Sequence, residues 1–149
     1  LTVSLSDFGV FYRQDDADET AAALRFGGSK VVVDQGQVVR VAKDKKGVIT
    51  KDNLTSNWQD WIDYWAVDFD FASQPEIITI VENGKEVKKR TGKFIFENEW
   101  QSFRTKTDRS LELTSSPFSY ADPGNYSVAV KVIDIFGNDT TRVFKIKVK

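Results

Sequence analysis

The chain has 149 residues, of which 40% are hydrophobic and 29% are charged, and its formal net charge is −1. These values are typical of one soluble globular domain, and they exclude nucleic-acid binding that depends on a high overall positive charge. Cysteine and histidine are absent, which excludes disulfides, thiol nucleophiles, Ser-His-Asp triads and the usual zinc sites.

The first quarter of the chain predicts a short strand followed by a short helix. Residues 1–5 alternate apolar and polar side chains with the two-residue period of a strand. An acidic run then precedes an alanine-rich stretch, which predicts a helix over residues 16–25 that is terminated by Gly27-Gly28. The alternative for residues 16–25 is an acidic loop.

The next segment predicts a β-hairpin and then a connection. Valine-rich runs flank residues 34–37, which predicts two strands around a four-residue turn. Residues 50–59 are mostly polar, so we expect a loop or a single helical turn there.

The aromatic run over residues 60–71 predicts a central strand. Its odd-numbered positions are mostly apolar, and Trp65 lies at the middle of that face, where it would fill the core. Asp68 and Asp70 alternate with this face, so we expect both to lie on an opposite, wetter face.

A second hairpin is predicted around Asn83-Gly84, because both residues tolerate the positive φ angles of a two-residue turn. Its outgoing strand carries three consecutive cations at residues 88–90, which is typical of a solvated or edge strand. Residues 111–113 predict a further short strand. The last strand, residues 143–149, predicts one buried apolar face and one basic, solvated face.

The segment after Pro123 predicts the fold class. Gly124 allows the backbone to turn, and Tyr126 opens an alternating strand, residues 126–134, with its hydroxyl directed back to an upstream backbone group. This is the tyrosine corner of immunoglobulin-like sandwiches; the alternative is an ordinary strand that begins with tyrosine. We therefore expect an all-β, immunoglobulin-like antiparallel sandwich with an elaborated N-terminal half and one short helix.

We expect residues 1–149 to form a single sandwich domain. No internal repeat or linker divides the sequence, and no apolar run is long enough to cross a bilayer. Methionine is absent and the sequence opens on Leu1, which favours a fragment of a longer protein.

Two family resemblances add to this interpretation. WAVDFD (residues 65–70), followed later by Pro-Gly-x-Tyr, resembles the motifs of polycystic-kidney-disease (PKD) domains, which are immunoglobulin-like sandwiches. A closer match is to the C-terminal part of bacterial and archaeal site-specific adenine DNA methyltransferases of the type III modification-subunit kind. The segments that carry it are WIDYWAVDFD (residues 61–70), WQSFRTK (residues 100–106) and VKVIDIFGNDT (residues 130–140), with a weaker match at FGVFYR (residues 8–13).

The methyltransferase resemblance implies a non-catalytic accessory domain, for DNA recognition or protein docking. The family's Pro-Pro-aromatic loop, which holds the adenine amine, is absent from this sequence, and so is a glycine-rich cofactor loop. We therefore expect no catalytic residues, metal site or cofactor in this chain. Its implied partners are an S-adenosylmethionine-dependent methyltransferase domain of the same parent chain, and DNA or a restriction subunit, in the prokaryotic cytoplasm and without a membrane.

The candidate contact residues are Trp100, Arg104, Lys106 and Arg109. Flat rings stack on bases and cations meet phosphates, so an interleaved aromatic and basic stretch is a candidate nucleic-acid or partner surface. The alternative is that Trp100 is part of the core and the cations form a solvated rim. Trp65, Gly124 and Tyr126 are expected to have structural roles.

Carboxylates give a weaker indication of function. Asp68, Asp70, Asp122, Asp134 and Asp139 have no regular ligand spacing, so turn formation explains them better than a calcium site does. Asp68 and Asp70 could share a face as a glycosidase pair, but their aromatic setting suits packing better. The alternative to the methyltransferase interpretation is an extracellular PKD-like spacer or carbohydrate-binding module.

Overall fold

The computed structural model describes residues 1–9 and 14–149, which are mostly antiparallel β-structure, so the predicted all-β class is confirmed. The helix is α1 (Ala17–Ala23), and short 3₁₀ turns cover Trp58–Trp61 and Phe71–Ser73. The strands are β1 (Ser29–Asp34), β2 (Gln37–Lys43), β3 (Ile49–Asn53), β4 (Ile62–Asp68), β5 (Pro75–Glu82), β6 (Lys85–Phe94), β7 (Trp100–Phe103), β8 (Gly124–Asp134) and β9 (Asp139–Val148).

Two compact units make up the described chain. One is Asp7–Trp61, and the other joins Leu1–Ser6 to Ile62–Lys149. The expectation of one domain over residues 1–149 stays a prediction. Residues 10–13, which belong to the FGVFYR match, lie outside the described residues. No helix of the described ranges has the length and apolar character needed to cross a membrane.

The Asp7–Trp61 unit packs α1 on a small sheet. Asp16 caps the helix by accepting hydrogen bonds from the backbone N–H groups of Asp18 and Glu19, as the acidic run predicts. The helix ends at Ala23, and Leu24 has an extended backbone, so the predicted continuation to Arg25 is wrong. Buried alanines of α1 pack against valines of the sheet: the cluster comprises Ala17, Ala21, Val32 and Val41.

The sheet of this unit has the strand order β1-β2-β3. The β1–β2 turn consists of Gln35 and Gly36, with φ angles of 50° and 76°, so it has two residues and not the predicted four. The loop or helical turn predicted for residues 50–59 is wrong at residues 50–53, which belong to β3, whereas the 3₁₀ turn Trp58–Trp61 begins at the end of that segment. The residues of β3 are all exposed, and the pairing with β2, for example Lys51 opposite Val41, explains why they form a strand without an apolar pattern.

The larger unit is centred on a four-stranded antiparallel sheet with the order β7-β4-β8-β9. Strand β4 lies inside it, and Trp65, Ala66 and Val67 are fully buried, so apolar side chains fill both faces of the strand. The predicted core position of Trp65 agrees with this packing. The wetter environment predicted for Asp68 is wrong, because its side chain is 1% exposed.

Residues 1–6 run antiparallel to residues 113–118. Backbone hydrogen bonds of 2.8 Å join Leu5 N–H to Leu113 O and Ser115 N–H to Val3 O, and an isolated bridge joins Ser4 to Thr114. Residues 111–113 therefore do not form the regular strand predicted for them.

Strand β9 lies at the edge of the four-stranded sheet, and within residues 1–9 and 14–149 it pairs with β8 alone. Its predicted buried apolar face is wrong in part, because Phe144 is 55% exposed. An edge position leaves that ring without a neighbouring strand on its outer side.

The hairpin of β5 and β6 is a separate two-stranded sheet within the same unit. Asn83 and Gly84 have φ angles of 51° and 77°, which confirms the predicted two-residue turn. The hairpin follows the 3₁₀ turn Phe71–Ser73, whose Phe71 ring packs on Phe94 at the base of the hairpin, with centroids 5.8 Å apart.

Candidate functional site

Trp100 is held by the core of the larger unit. It pairs with Val67 across β7 and β4, and its ring packs edge-on against Trp65 with centroids 4.6 Å apart. Trp65 is fully buried, and its Nε1–H donates a hydrogen bond of 2.7 Å to the carbonyl oxygen of Glu112. Trp100 is half-buried, so this geometry favours the packing alternative over base stacking.

Arg104 fastens the loop after β7 to the start of β4. Its backbone N–H donates to Asp63 O at 3.0 Å, and its Nε–H donates to Ile62 O at 2.9 Å. A guanidinium N–H also donates to the carbonyl oxygen of Arg109. The side chain is half-buried, and its fork of donors satisfies carbonyl groups of the protein itself.

Lys106 and Arg109 carry the more accessible charges of the same loop. Lys106 is exposed, and the side chain of Arg109 is 64% exposed, with its Nη2 3.8 Å from the Asp63 carboxylate. At that distance and exposure, the ion pair contributes little to stability and leaves Arg109 able to meet another anion.

The loop itself is shaped by short-range hydrogen bonds. Thr105 N–H donates to Asp108 O at 2.6 Å, and the Asp108 carboxylate accepts from both the N–H and the hydroxyl of Ser110. These bonds from Ser110 lower the pKa of Asp108, which stays ionised. Asp63 and Asp108 thus lie beside the cations, and we name Asp63, Arg104, Lys106, Asp108 and Arg109 the Arg104 cluster.

The Arg104 cluster has three cations and two carboxylates, so it is only weakly basic. The structure brings the predicted Arg104 and Arg109 together, places Lys106 on the loop between them, and packs the ring of Trp100 against Trp65. Through Lys106 and Arg109, the cluster can bind one or two phosphate or carboxylate groups.

Tyr126 makes the hydrogen bond expected of a tyrosine corner. Its hydroxyl donates to Asp122 O at 2.9 Å, and its ring lies 4.2 Å from that of Tyr120. The ring is half-buried, and the hydrogen bond lies at an exposed position. Gly124 is the first residue of β8 and is not among the glycines with positive φ, so the turn does not require its left-handed freedom.

An acidic corner follows the end of β4. The buried Asp68 carboxylate accepts from Asp70 N–H at 3.0 Å and from Glu97 N–H at 2.8 Å, which satisfies the charge by local backbone donors. Glu99 Oε2 accepts from Phe69 N–H at 3.2 Å. We name Asp68, Asp70, Glu97 and Glu99 the acidic corner.

Ionisation in the acidic corner is perturbed. Partial burial raises the pKa of Glu99, and the charge of Asp68 raises it further, against the opposing effect of the Phe69 N–H. Partial burial, with the nearby charge of Glu99, raises the pKa of Tyr120 to about 12. The Tyr120 hydroxyl donates to Phe69 O at 2.7 Å, so it acts here as a hydrogen-bond donor that links the corner to residue 120.

Asp134 lies at the other end of β4 from Asp68. Ile62 pairs with Asp134 and Asp68 pairs with Ala129, so the six-residue length between them corresponds to about 20 Å along the strand. The five aspartates considered as calcium ligands therefore do not converge. Within residues 1–9 and 14–149, no group of three carboxylates is arranged to hold a metal ion.

The buried Asp134 organises the β8–β9 turn. Its Oδ1 accepts from Phe136 N–H at 2.9 Å and from Asn138 N–H at 3.0 Å, and its own N–H donates to Asn138 O at 3.0 Å. Gly137 adopts a φ of 81° within this turn. Asp134 is predicted to be a turn residue, but no pattern in the neighbouring sequence indicates that its side chain is buried.

Comparison of the chain with models of protein families, with curated proteins and with solved structures finds no match.

Proposed function

We propose that the chain is a non-catalytic accessory region of a prokaryotic, cytoplasmic site-specific adenine DNA methyltransferase, and that it contacts DNA. The observation that carries the proposal is the arrangement of the segments that resemble this family. Residues 61–70, 100–106 and 130–140 are far apart in sequence, yet they contain β4, β7 and the C-terminal part of β8 with its turn, which belong to adjacent strands. The resemblance therefore falls on one continuous structural element.

Contacts between these segments support the same proposal. Arg104 of the second segment donates to Ile62 O of the first, and Trp100 packs on Trp65. Asp134 of the third segment lies opposite Ile62. Residues that mark the resemblance thus interact with one another, as expected of a family that shares this sheet.

For the larger unit we propose an immunoglobulin-like, PKD-like sandwich. The order β7-β4-β8-β9 corresponds to strands C′, C, F and G of such a fold. Trp65 on β4 and the hydrogen bond from Tyr126 to Asp122 have the places of the core tryptophan and the tyrosine corner. In this proposal, residues 1–6 and 113–118 form the beginning of the second layer. They contact the chain just after β4, where the ring of Phe118 stacks on that of Phe69 with centroids 4.5 Å apart.

The proposal assigns the chemistry to a methyltransferase domain elsewhere in the parent chain, and a restriction subunit is a further proposed partner. The buried carboxylates Asp68 and Asp134 accept hydrogen bonds from backbone N–H groups, which lie in the following turn except for that of Glu97. A structural role accounts for them without a reaction. Methyl transfer to DNA from S-adenosylmethionine by this chain alone would contradict a non-catalytic role.

DNA contact at the Arg104 cluster is proposed through Lys106 and Arg109, with Arg104 and Trp100 as the residues that hold the loop in place. Phosphate contacts of this kind give binding that weakens steeply with salt. Because the cluster also contains Asp63 and Asp108, we expect its contribution to be small.

The test is fluorescence anisotropy of a labelled duplex titrated with the 149-residue chain at several salt concentrations. We expect measurable binding at low salt, and the Lys106→Ala/Arg109→Ala variant should lower the slope of log K against log salt by about one to two units. The matched control is Lys145→Ala/Lys147→Ala, which removes two exposed cations from β9. Absence of duplex binding at low salt would overturn DNA contact.

A further inference from the structure

The hairpin of β5 and β6 is an unpartnered β-ribbon. It forms a sheet of two strands, and its base is fixed by the hydrogen bond of 2.8 Å from Ile95 N–H to Gln74 O and by the packing of Phe71 on Phe94. Two-stranded hairpins are marginal in water when nothing covers them. A ribbon that is fixed at its base and uncovered along its length is suited to insertion into a partner.

Both faces of the ribbon are open. From Pro75 to Phe94, the half-buried residues are Pro75, Glu76, Ile80 and Val87, and the rest are exposed. Val81 is 71% exposed and Ile77 is 53% exposed, values that a strand in a covered sheet does not have. The ribbon therefore exposes apolar side chains to solvent next to charged side chains.

The two faces differ in how their charges are satisfied. On one face Lys89 forms an ion pair with Glu82. On the other, Lys88 lies opposite Thr79 and Arg90 lies opposite Ile77. Among the residues that the structure describes, no carboxylate lies within ion-pair distance of Lys88 or Arg90.

We name the second face the Lys88/Arg90 face. It consists of Ile77, Thr79, Val81, Glu86, Lys88 and Arg90. The whole hairpin carries five cations and three acids, a net charge of +2, whereas the chain has −1. Positive charge is thus concentrated on an element that projects two unpaired cations to solvent.

We propose that this hairpin enters the major groove of duplex DNA with the Lys88/Arg90 face toward the DNA. The inference rests on the proposed function, in which DNA is the ligand. It makes this hairpin, and not the Arg104 cluster, the main contact with DNA. The major groove, about 12 Å wide, admits a two-stranded ribbon whose strands lie about 4.8 Å apart.

The composition of the face fits both parts of a groove interface. Lys88 and Arg90 meet phosphates or the acceptor edge of guanine, and the methyl groups of Thr79 and Ile77 are suited to contact thymine methyls. Glu86 is the acid of this face and lies opposite Val81 near the turn, where its carboxylate opposes phosphate contact. Replacement of Glu86 by glutamine should therefore strengthen binding.

The experiment compares the wild-type 149-residue chain with Lys88→Ala/Arg90→Ala, Glu86→Gln and the control Lys145→Ala/Lys147→Ala. Each is titrated into a fluorescein-labelled duplex of mixed sequence between about 50 and 200 mM salt. We expect Lys88→Ala/Arg90→Ala to lower the salt slope by about two units and the affinity at about 100 mM salt by at least tenfold. Glu86→Gln should raise the affinity, and the control should change the slope by less than about half a unit.

Urea unfolding of each variant distinguishes a loss of DNA affinity from a loss of stability. These side chains are exposed, so their removal should leave the urea midpoint unchanged. Duplex binding that persists with an unchanged slope in Lys88→Ala/Arg90→Ala would overturn the hairpin inference and leave the proposed function standing. If the wild-type chain binds no duplex at low salt, both are overturned. In that case, capture of a protein partner by the same face would identify a docking ribbon instead.

Discussion

Replacement of Arg104 by alanine should destabilise the larger unit more than it weakens DNA binding. The side chain donates to Ile62 O at 2.9 Å and to the carbonyl oxygen of Arg109, so two backbone acceptors lose a charged donor. Hydrogen bonds from charged groups contribute about 1.5–3 kcal/mol each, and half-burial places these two at the low end of that range. We expect the free energy of unfolding to fall by about 2–3 kcal/mol.

Urea unfolding followed by tryptophan fluorescence measures this loss, and the thermal midpoint should fall by about 4–12 °C for a chain of this size. Arg104→Lys keeps the charge but cannot reach both carbonyl groups, so we expect it to recover no more than half of the loss. The control is Lys106→Ala, an exposed position at which the change should stay within about 0.5 kcal/mol.

The result that would refute this reasoning is a selective loss of DNA affinity. If Arg104→Ala unfolded at the wild-type urea concentration but lost DNA affinity, and Arg104→Lys retained full binding, the positive charge at residue 104 would be a phosphate contact. The placement of Arg104 against β4 would then be wrong.

Three further predictions concern structural hydrogen bonds and ionisation. Tyr126→Phe should lower the free energy of unfolding by only about 0.5–1.5 kcal/mol in urea titrations, because its hydrogen bond to Asp122 O is at an exposed position. A loss above about 3 kcal/mol would mean that this hydrogen bond is buried. Asp134→Ala should cost about 2–4 kcal/mol by the same measurement, since a buried carboxylate with two backbone donors is removed, and an unchanged midpoint would exclude this role for Asp134. The raised pKa of Glu99 means that the folded state holds its proton to higher pH, so its contribution to stability should decrease as pH rises above about 4.5 and level off above the folded-state pKa. The difference in stability between wild type and Glu99→Gln, measured across that pH range, should change in this direction, and a flat difference would contradict it.

Local signals in the sequence predicted those elements in which neighbouring residues determine the conformation. Asn83 and Gly84 both adopt positive φ, and Asp16 caps α1 through its own side chain, so neither depends on distant residues. Strand β3 has no such signal: its side chains are all exposed, and only the backbone pairing with β2 makes it a strand. Strands that depend only on backbone pairing therefore cannot be predicted from local sequence patterns.

The candidate site was predictable in composition but not in geometry. The sequence indicated Arg104 and Arg109 as neighbouring cations, but the partners of Arg104 are backbone carbonyl groups, one of them 42 residues away. Asp68 was expected to face water, yet backbone N–H groups of Asp70 and Glu97 compensate its burial. Backbone donors and acceptors are common to every residue, so no sequence pattern indicates which of them meet a charged side chain.

The distribution of charge along the hairpin constrains how it can meet DNA. The acidic corner adjoins the base of the hairpin, because Glu97 N–H donates to Asp68 and residue 95 bonds to residue 74. Lys88 lies opposite Thr79, four residues from Pro75, or about 13 Å from the base. That separation exceeds the screening length of about 8 Å at physiological salt, so Lys88 attracts phosphates with little opposition from the corner. An approach through the Lys88/Arg90 face places both cations against DNA, with Glu86 as the carboxylate of that face, whereas an approach along the base brings Glu97 and Glu99 against phosphates. Charge alone therefore favours contact through the Lys88/Arg90 face over contact at the base of the hairpin.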